Sequence, residues 1–265
     1  MSQMPLAKKQ LGQHWLEDSD SLRALVEAAN IKNDDTVFEI GPGTGTLTQE
    51  LLNTGVKTVA LEFDEQRFAD LKIKYKDSRQ IKIISGDIRE FDFSSLPGDY
   101  KIVANIPYYL TANLFRILTL ITNKPTTAVL LVQKEVAQRV CATPGKLSKV
   151  AVFTQLFYEP CFGKVIPANL FTPPPKVDSQ ILVLQRRSKP FAVLDGNLEK
   201  LINAGFGQKR KMLRKSLSAG LGWQADKMEN LLIKSEIDPT RRAETLSLPE
   251  WRGLTEQYWN LRQSS

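Results

Sequence analysis

The sequence predicts an α/β fold, a parallel sheet covered on both faces by helices, followed by a smaller all-helical domain. Three observations carry that expectation. Apolar strand-like runs alternate with helix-like segments through the first half of the chain. A glycine-rich turn joins the first strong strand to a helix, "EIGPGTGTL". Beyond the basic "RRSKP" that begins at Arg186, no β-rich run follows.

In chain order, "DSDSLRALVEAANI" reads as a short helix with Asp and Ser available as N-caps. "TVFEI" then leads into "GPGTGTLTQELLNTG", and "TVALEFD" precedes the helical "EQRFADLKIKY". "IKIISGD", "YKIVANIPYY" and "TTAVLLVQ" complete five strands whose continuous apolar character suits burial on both faces. "GKVIPANLFTPPPKVDSQILVLQRR" reads as two further strands around a stiff proline segment. The expected organisation is a domain over residues 1–187, including an N-terminal arm, and a helical domain over 188–265.

Composition places the chain among globular proteins, with 42% hydrophobic and 25% charged residues. The N-terminus lacks the apolar stretch of a secretory signal and no run reaches the length of a membrane span, so a cytoplasmic protein without membrane association is expected. Cys141 and Cys161 lie outside any C-x-x-C spacing and are expected as buried, reduced thiols; no metal site is indicated. From Arg186 to Lys215, nine basic residues face only Asp195 and Glu199, a local net of +7 that equals the excess of the whole chain. Such concentration points to a polyanionic partner more than to solubility.

The candidate site begins with Gly41, Gly43 and Gly45, which let the backbone turn tightly and approach a ligand. Glu62, 21 positions after Gly41, suits a carboxylate accepting from ribose hydroxyls. The spacing here is G-x-G-x-G, whereas dinucleotide enzymes usually show G-x-G-x-x-G. Asp87 in "SGD" could accept from an adenine amino group, or be an ordinary exposed turn residue. In "NIPY", Asn105 offers a side-chain oxygen, Pro107 biases Ile106 toward an extended conformation, and Tyr108 offers a ring face. Two acceptors beside a flat ring make a clamp for an exocyclic amino group such as adenine N6. Phe171, ahead of three prolines, could form the opposite wall of a base pocket, or be a core residue.

Taken together, "KKQLGQHWL", "EIGPGTGTLT", "LEFD", "GD", "NIPYYLT", "FTPPPKVDS", "FGQKRKML" and "RRAETLSLPEW" resemble the KsgA/RsmA family of small-subunit rRNA adenine N6,N6-dimethyltransferases. The resemblance implies a Rossmann-like methyltransferase domain with a small helical domain, and S-adenosylmethionine as methyl donor. It implies 16S rRNA, within the small ribosomal subunit or its precursor, as partner, with two adjacent adenosines in the 3′-terminal hairpin loop each methylated twice. By position it implies His14, Leu16, Gly41, Glu62, Asp87 and Asn105 as cofactor residues, and Asn105, Tyr108 and Phe171 as the base pocket. A monomer without a metal is expected. Trp15 stands where the family usually has Phe, and the loop at 143–149 is shorter than usual.

"QKRKMLRKSLSAGL" reads as one helix, with Leu213, Leu217 and Leu221 on a buried stripe. Arg210 with Arg214, and Lys211 with Lys215, would then repel at i, i+4 unless a phosphate backbone relieved them. Lys209, Arg210, Lys211, Arg214 and Lys215 are therefore the expected RNA contacts. The erythromycin-resistance methyltransferases, which act on large-subunit rRNA, share the "NIPY" type of motif. An assembly factor without methylation and an NAD oxidoreductase are weaker alternatives.

Overall fold

The computed structural model describes residues 14–192 and 195–263, so the "KKQLGQ" part of the arm motif lies outside the described residues. The chain divides into two compact units: the first runs to Ala137 and includes Glu159–Arg186, the second holds Gln138–Tyr158 and the chain from Arg187 onward. Where a single boundary at 187/188 was expected, the chain crosses between units three times, at 137/138, 158/159 and 186/187. The segment from Gln138 to Tyr158 clusters with the C-terminal helices, which no composition shift signals.

The first unit opens with the two-residue strand β1 (Trp15–Leu16) and α1 (Ser19–Ala28). The Asp18 carboxylate accepts from the Ser21 backbone N–H, capping α1, and Leu22, Leu25 and Val26 face the core. There follow β2 (Thr36–Ile40), α2 (Thr46–Asn53), β3 (Lys57–Glu62), α3 (Glu65–Lys74), β4 (Ile81–Ser85), β5 (Lys101–Asn105), α4 (Thr111–Leu120) and β6 (Thr127–Gln133). After α5 (Lys134–Val140) and α6 (Lys149–Phe157) come β7 (Tyr158–Ile166), β8 (Phe171–Thr172) and β9 (Ser179–Arg186). Seven strands form one sheet in the order β4-β3-β2-β5-β6-β9-β7.

From β4 to β6 every neighbour is parallel, as the alternating pattern predicts. β9 runs antiparallel to β6, from Thr127↔Gln185 to Gln133↔Ser179, so the sheet is mixed rather than wholly parallel. A strand buried on both faces reads the same in either direction, and the sequence cannot reveal the reversal. One core cluster gathers Leu25, Val37, Leu51, Val103, Val129 and Ile181, with Leu16 and Phe171 brought in by a separate antiparallel pair, β1 with β8.

The second unit is helical, as expected. α7 (Gly196–Gly207), α8 (Leu213–Leu221), α9 (Ala225–Lys234) and α10 (Leu248–Gln263) bury Leu201, Leu213, Leu217, Leu232 and Trp251. "LSLPEW" owes its form to a capping box, in which the Glu250 carboxylate accepts from the Ser247 N–H at 2.7 Å. The short loop at 143–149 is tied down within this unit, since Gly145 and Leu147 both donate to the Glu244 carbonyl. Cys141 is half-buried and Cys161 exposed, both free thiols, where two buried ones were expected.

Candidate active site

The carboxyl ends of β2, β3, β4 and β5 bring the site residues together, the place where open α/β sheets bind ligands. Two cavities share Gly41, Glu62 and Pro107. The first is lined by His14, Trp15, Leu16, Glu39, Asn105, Tyr108 and Phe171 among others. The second, of about 280 Å³, holds Asp87 and Asn113 between the apolar side chains of Leu61, Phe63 and Ile88.

Gly41 and Gly43 both have positive φ, a region that glycine occupies without strain. A Cβ on Gly43 would fall 2.4 Å from the Trp15 ring, so this glycine also admits the arm; a Cβ on Gly41 would meet no atom within 4 Å. The Gly43 N–H donates to Glu62 Oε2 at 2.9 Å, and the Asp64 N–H donates to Oε1 at 2.9 Å. Glu62 thus holds the loop as well as facing both cavities. Burial pushes its carboxyl up, against those two N–H donors, which hold it down.

Three side chains unread in the sequence brace this loop from α3 and α2. Tyr75 donates to the Gly45 carbonyl and Lys74 to the Thr44 carbonyl, while Thr48 donates to Glu39 Oε2 at 2.7 Å. Glu39 itself is fully buried, its Oε1 has no partner, and burial raises its carboxyl to about 8. The only sequence trace of Glu39 is an acid inside an otherwise apolar strand, "TVFEI". Raised to about 8, Glu39 is mostly protonated near neutral pH and brings a polar group, rather than a charge, to the cavity beside Glu62.

At the end of β5, Asn105 lines the first cavity and its amide makes no hydrogen bond to any described residue. The Tyr108 hydroxyl shares a 2.8 Å hydrogen bond with Ser179, which anchors its ring; the His14 ring lies 5.5 Å away, tilted by 33°. His14 Nδ1 donates to the Pro173 carbonyl at 2.7 Å, since a carbonyl can only accept. The β1–β8 pair therefore brings His14, Trp15, Leu16 and Phe171 to the cavity that the "NIPY" turn lines. Phe171 belongs to the core cluster, 3% exposed, and also lines the cavity. Leu16 is a core side chain whose carbonyl accepts from Thr46.

Asp87 departs from the free acceptor expected. Arg89 closes on its carboxylate through Nε at 2.9 and 3.0 Å, and this contact holds the carboxyl below the usual range. A ligand amino group reaching Asp87 must displace or share that guanidinium.

The basic segment departs further. α7 ends at Gly207 and α8 starts at Leu213, with Met212 extended between them, so Lys209, Arg210 and Lys211 lie on an exposed turn. The i, i+4 repulsions expected of one continuous helix do not exist. Arg214 is ion-paired with Glu229 of α9, which makes it part of the helical packing rather than a free cation. Leu213 and Leu217 are buried, whereas Leu221 is only half-buried. Among the described residues no three His, Cys, Asp or Glu side chains are grouped to hold a metal, and no helix is long and apolar enough to cross a membrane.

Known proteins share this architecture and sequence. The chain is 38% identical over 257 residues to ribosomal RNA small subunit methyltransferase A of Dehalococcoides mccartyi, covering 95% of this chain and 88% of that protein. It is 40% identical to the protein of that name from Chelativorans, over 95% and 93% of the two chains. The crystal structure of a dimethyladenosine transferase from Plasmodium falciparum superposes with a TM-score of 0.80 at 24% identity, over 93% of this chain and 98% of that one. That of the 23S rRNA methyltransferase ErmE gives 0.71 at 25% identity, over 92% and 98%. The profile of the ribosomal RNA adenine dimethylase family matches residues 4–253, and the chain belongs to that family.

Proposed function

We propose that this chain transfers methyl groups from S-adenosylmethionine to adenine N6 of 16S rRNA, at two adjacent adenosines of the 3′-terminal hairpin loop, each methylated twice. The partner is the small ribosomal subunit or its precursor, met by a cytoplasmic monomer. The observation that carries this reading is the unpartnered Asn105 amide at the end of β5, in one cavity with Tyr108 and Phe171.

The residues present fit the methyl donor. The orphaned, buried Glu39 Oε1 is an unused polar atom facing the cavity beside the Glu62 carboxyl, and the space beside Gly41 admits a close backbone approach. Glu62 would hold the ribose, Asp87 the adenine amino group once Arg89 yields, and His14, Leu16, Gly41 and Asn105 would line the remainder. When bound, S-adenosylmethionine supplies an electrophilic methyl group.

The chain's own part is positioning. The lone pair of a substrate N6 is delocalised into its purine and is a poor nucleophile. Asn105 Oδ1 accepts one N6–H and fixes the amine, while Tyr108 stacks on the ring and Phe171 closes the far side. Asn105 would thereby aim the N6 lone pair at the methyl that the donor would supply, and the N6 proton would leave to water.

The test is incubation with methyl-labelled donor and small subunits that lack the modification, followed by nucleoside mass spectrometry and mapping. Labelled N6,N6-dimethyladenosine at two adjacent positions is expected. Label confined to large-subunit rRNA would favour the activity named for ErmE, and no label would end the reading.

A further inference from the structure

The second unit contains a cleft of about 710 Å³ between α7, α8 and α10, within the range of ligand sites. Its chemistry is distinctive. Lys200 and Arg262 line it, no carboxylate does, and Asn203 and Gln208 add side-chain amides. Gly207 and Ala219 are exposed and leave backbone open to close approach, whereas Gly220 is packed on Ala204, where a Cβ would fall 2.5 Å from that side chain. One wall is the aromatic pair Trp223 and Tyr258, with ring centroids 5.1 Å apart.

The cations of this unit fall into two sets. Arg214 is paired with Glu229, Arg241 with Glu250, and Arg252 with Glu256. Lys200 has no ion-pair partner among the described residues; Arg262 reaches only the neutral Asn197 amide, at 3.5 Å, and the Tyr258 ring, at 5.9 Å. Lys209, Arg210 and Lys211 are likewise exposed and unpaired among the described residues. Gly207 and Gln208, which line the cleft, lead directly into that turn. The turn cations thus lead through Gln208 to Lys200 and Arg262 in the cleft, while Lys215, Lys227 and Lys234, also exposed in this unit, do not line it.

We propose that the cleft is a second RNA contact, in which Lys200 and Arg262 take phosphodiester oxygens of the substrate rRNA and the amides take ribose or base edges. This rests on the rRNA reading above. A polyanionic strand supplies the charge these cations lack, and the exposed Gly207 and Ala219 leave room for a sugar–phosphate chain beside α7 and α8.

The probe is the purified small ribosomal subunit with unmethylated rRNA, and its affinity is measured across a KCl series. The double variant Lys200→Gln/Arg262→Gln should lose roughly 1.4–1.8 in the slope of log affinity against log salt, with the loss of affinity largest at low salt. Ala219→Glu, which adds a carboxylate without removing a cation, should weaken binding while Ala219→Gln does not. Lys57→Gln/Lys234→Gln removes the same charge from exposed lysines outside the cleft and should leave the slope unchanged. Melting curves establish that each variant is folded. A cleft variant parallel to wild type, or an equal loss in the Lys57/Lys234 control, overturns the cleft. If Lys209→Gln/Arg210→Gln/Lys211→Gln loses slope and the cleft variant does not, the cleft alone falls; if neither loses slope, rRNA docking by this unit falls with it.

Discussion

The strand-end cavities of the first unit and the basic turn of the second differ in how they treat charge. Glu39 and Glu62 are buried, and each is held by donors from the chain: Thr48 for Glu39, the Gly43 and Asp64 N–H groups for Glu62. Lys209, Arg210 and Lys211 are exposed and have no such donors or acceptors arranged around them. Burial makes each acid sensitive to a single atom of a small ligand and places its orientation under the control of packing. Exposure makes each cation interchangeable, so that only their number and density matter. In the proposed function, the first serves as a site for chemistry and the second as an electrostatic footprint.

The largest expected break in this comparison is Asn105→Ala. It should lower methyl transfer on the order of 10²–10³-fold, as loss of one preorganised polar group does, while the melting temperature stays near wild type. The amide has no described partner to lose, so a folded, inactive protein is the expected outcome of the paired rate and melting measurements. Near-wild-type turnover would remove the N6 clamp.

Glu62→Ala should come next. Each charge-assisted hydrogen bond to a ribose hydroxyl contributes about 1.5–3 kcal/mol, and the same carboxylate also holds the Gly43 loop. Donor affinity by calorimetry should fall with little change in rate at saturation. An unchanged affinity would exclude the ribose role.

Glu39→Gln sharpens the burial half. The Glu39 carboxyl stands at about 8 in the folded protein against an ordinary 4.5, so the folded state binds the extra proton. Its contribution to stability is complete below pH 4.5 and is lost as pH rises through 8. The glutamine variant should therefore gain on wild type with rising pH, by about 4 kcal/mol between pH 5 and 8.5 in urea titrations. A constant difference across that range would show that Glu39 titrates normally.

The smallest effects belong to the exposed region. Arg214→Gln should cost about 0.2–1 kcal/mol, because its pair with Glu229 is partly exposed. Lys211→Gln should leave stability within about 0.5 kcal/mol. In binding the order should reverse, with Lys211→Gln lowering the salt slope by about 0.7–0.9 and Arg214→Gln changing it less. Equal slopes for the two would mean that the ion pair with Glu229 does not withhold Arg214 from RNA.

Local chemistry determined much of this protein from the sequence alone. Glycines at positive φ, an acid ending β3, and an Asn-Ile-Pro-Tyr turn ending β5 act within a few residues of themselves, so their spacing located the strand-end site. Strand runs were legible because burial on both faces demands continuous apolar residues. The tertiary structure decided whatever needed a distant partner. Arg89 occupies Asp87, and Glu229 claims Arg214 across 15 positions. β1 pairs with β8 across more than 150 residues, bringing His14 near Tyr108. The basic run became a turn because Met212 is extended and the Leu213 N–H donates to the Arg241 carbonyl, a bond no helical periodicity encodes. A charge, an amide or a ring is written in the sequence; whether it is spent on the chain itself or left for a ligand depends on which groups folding places beside it.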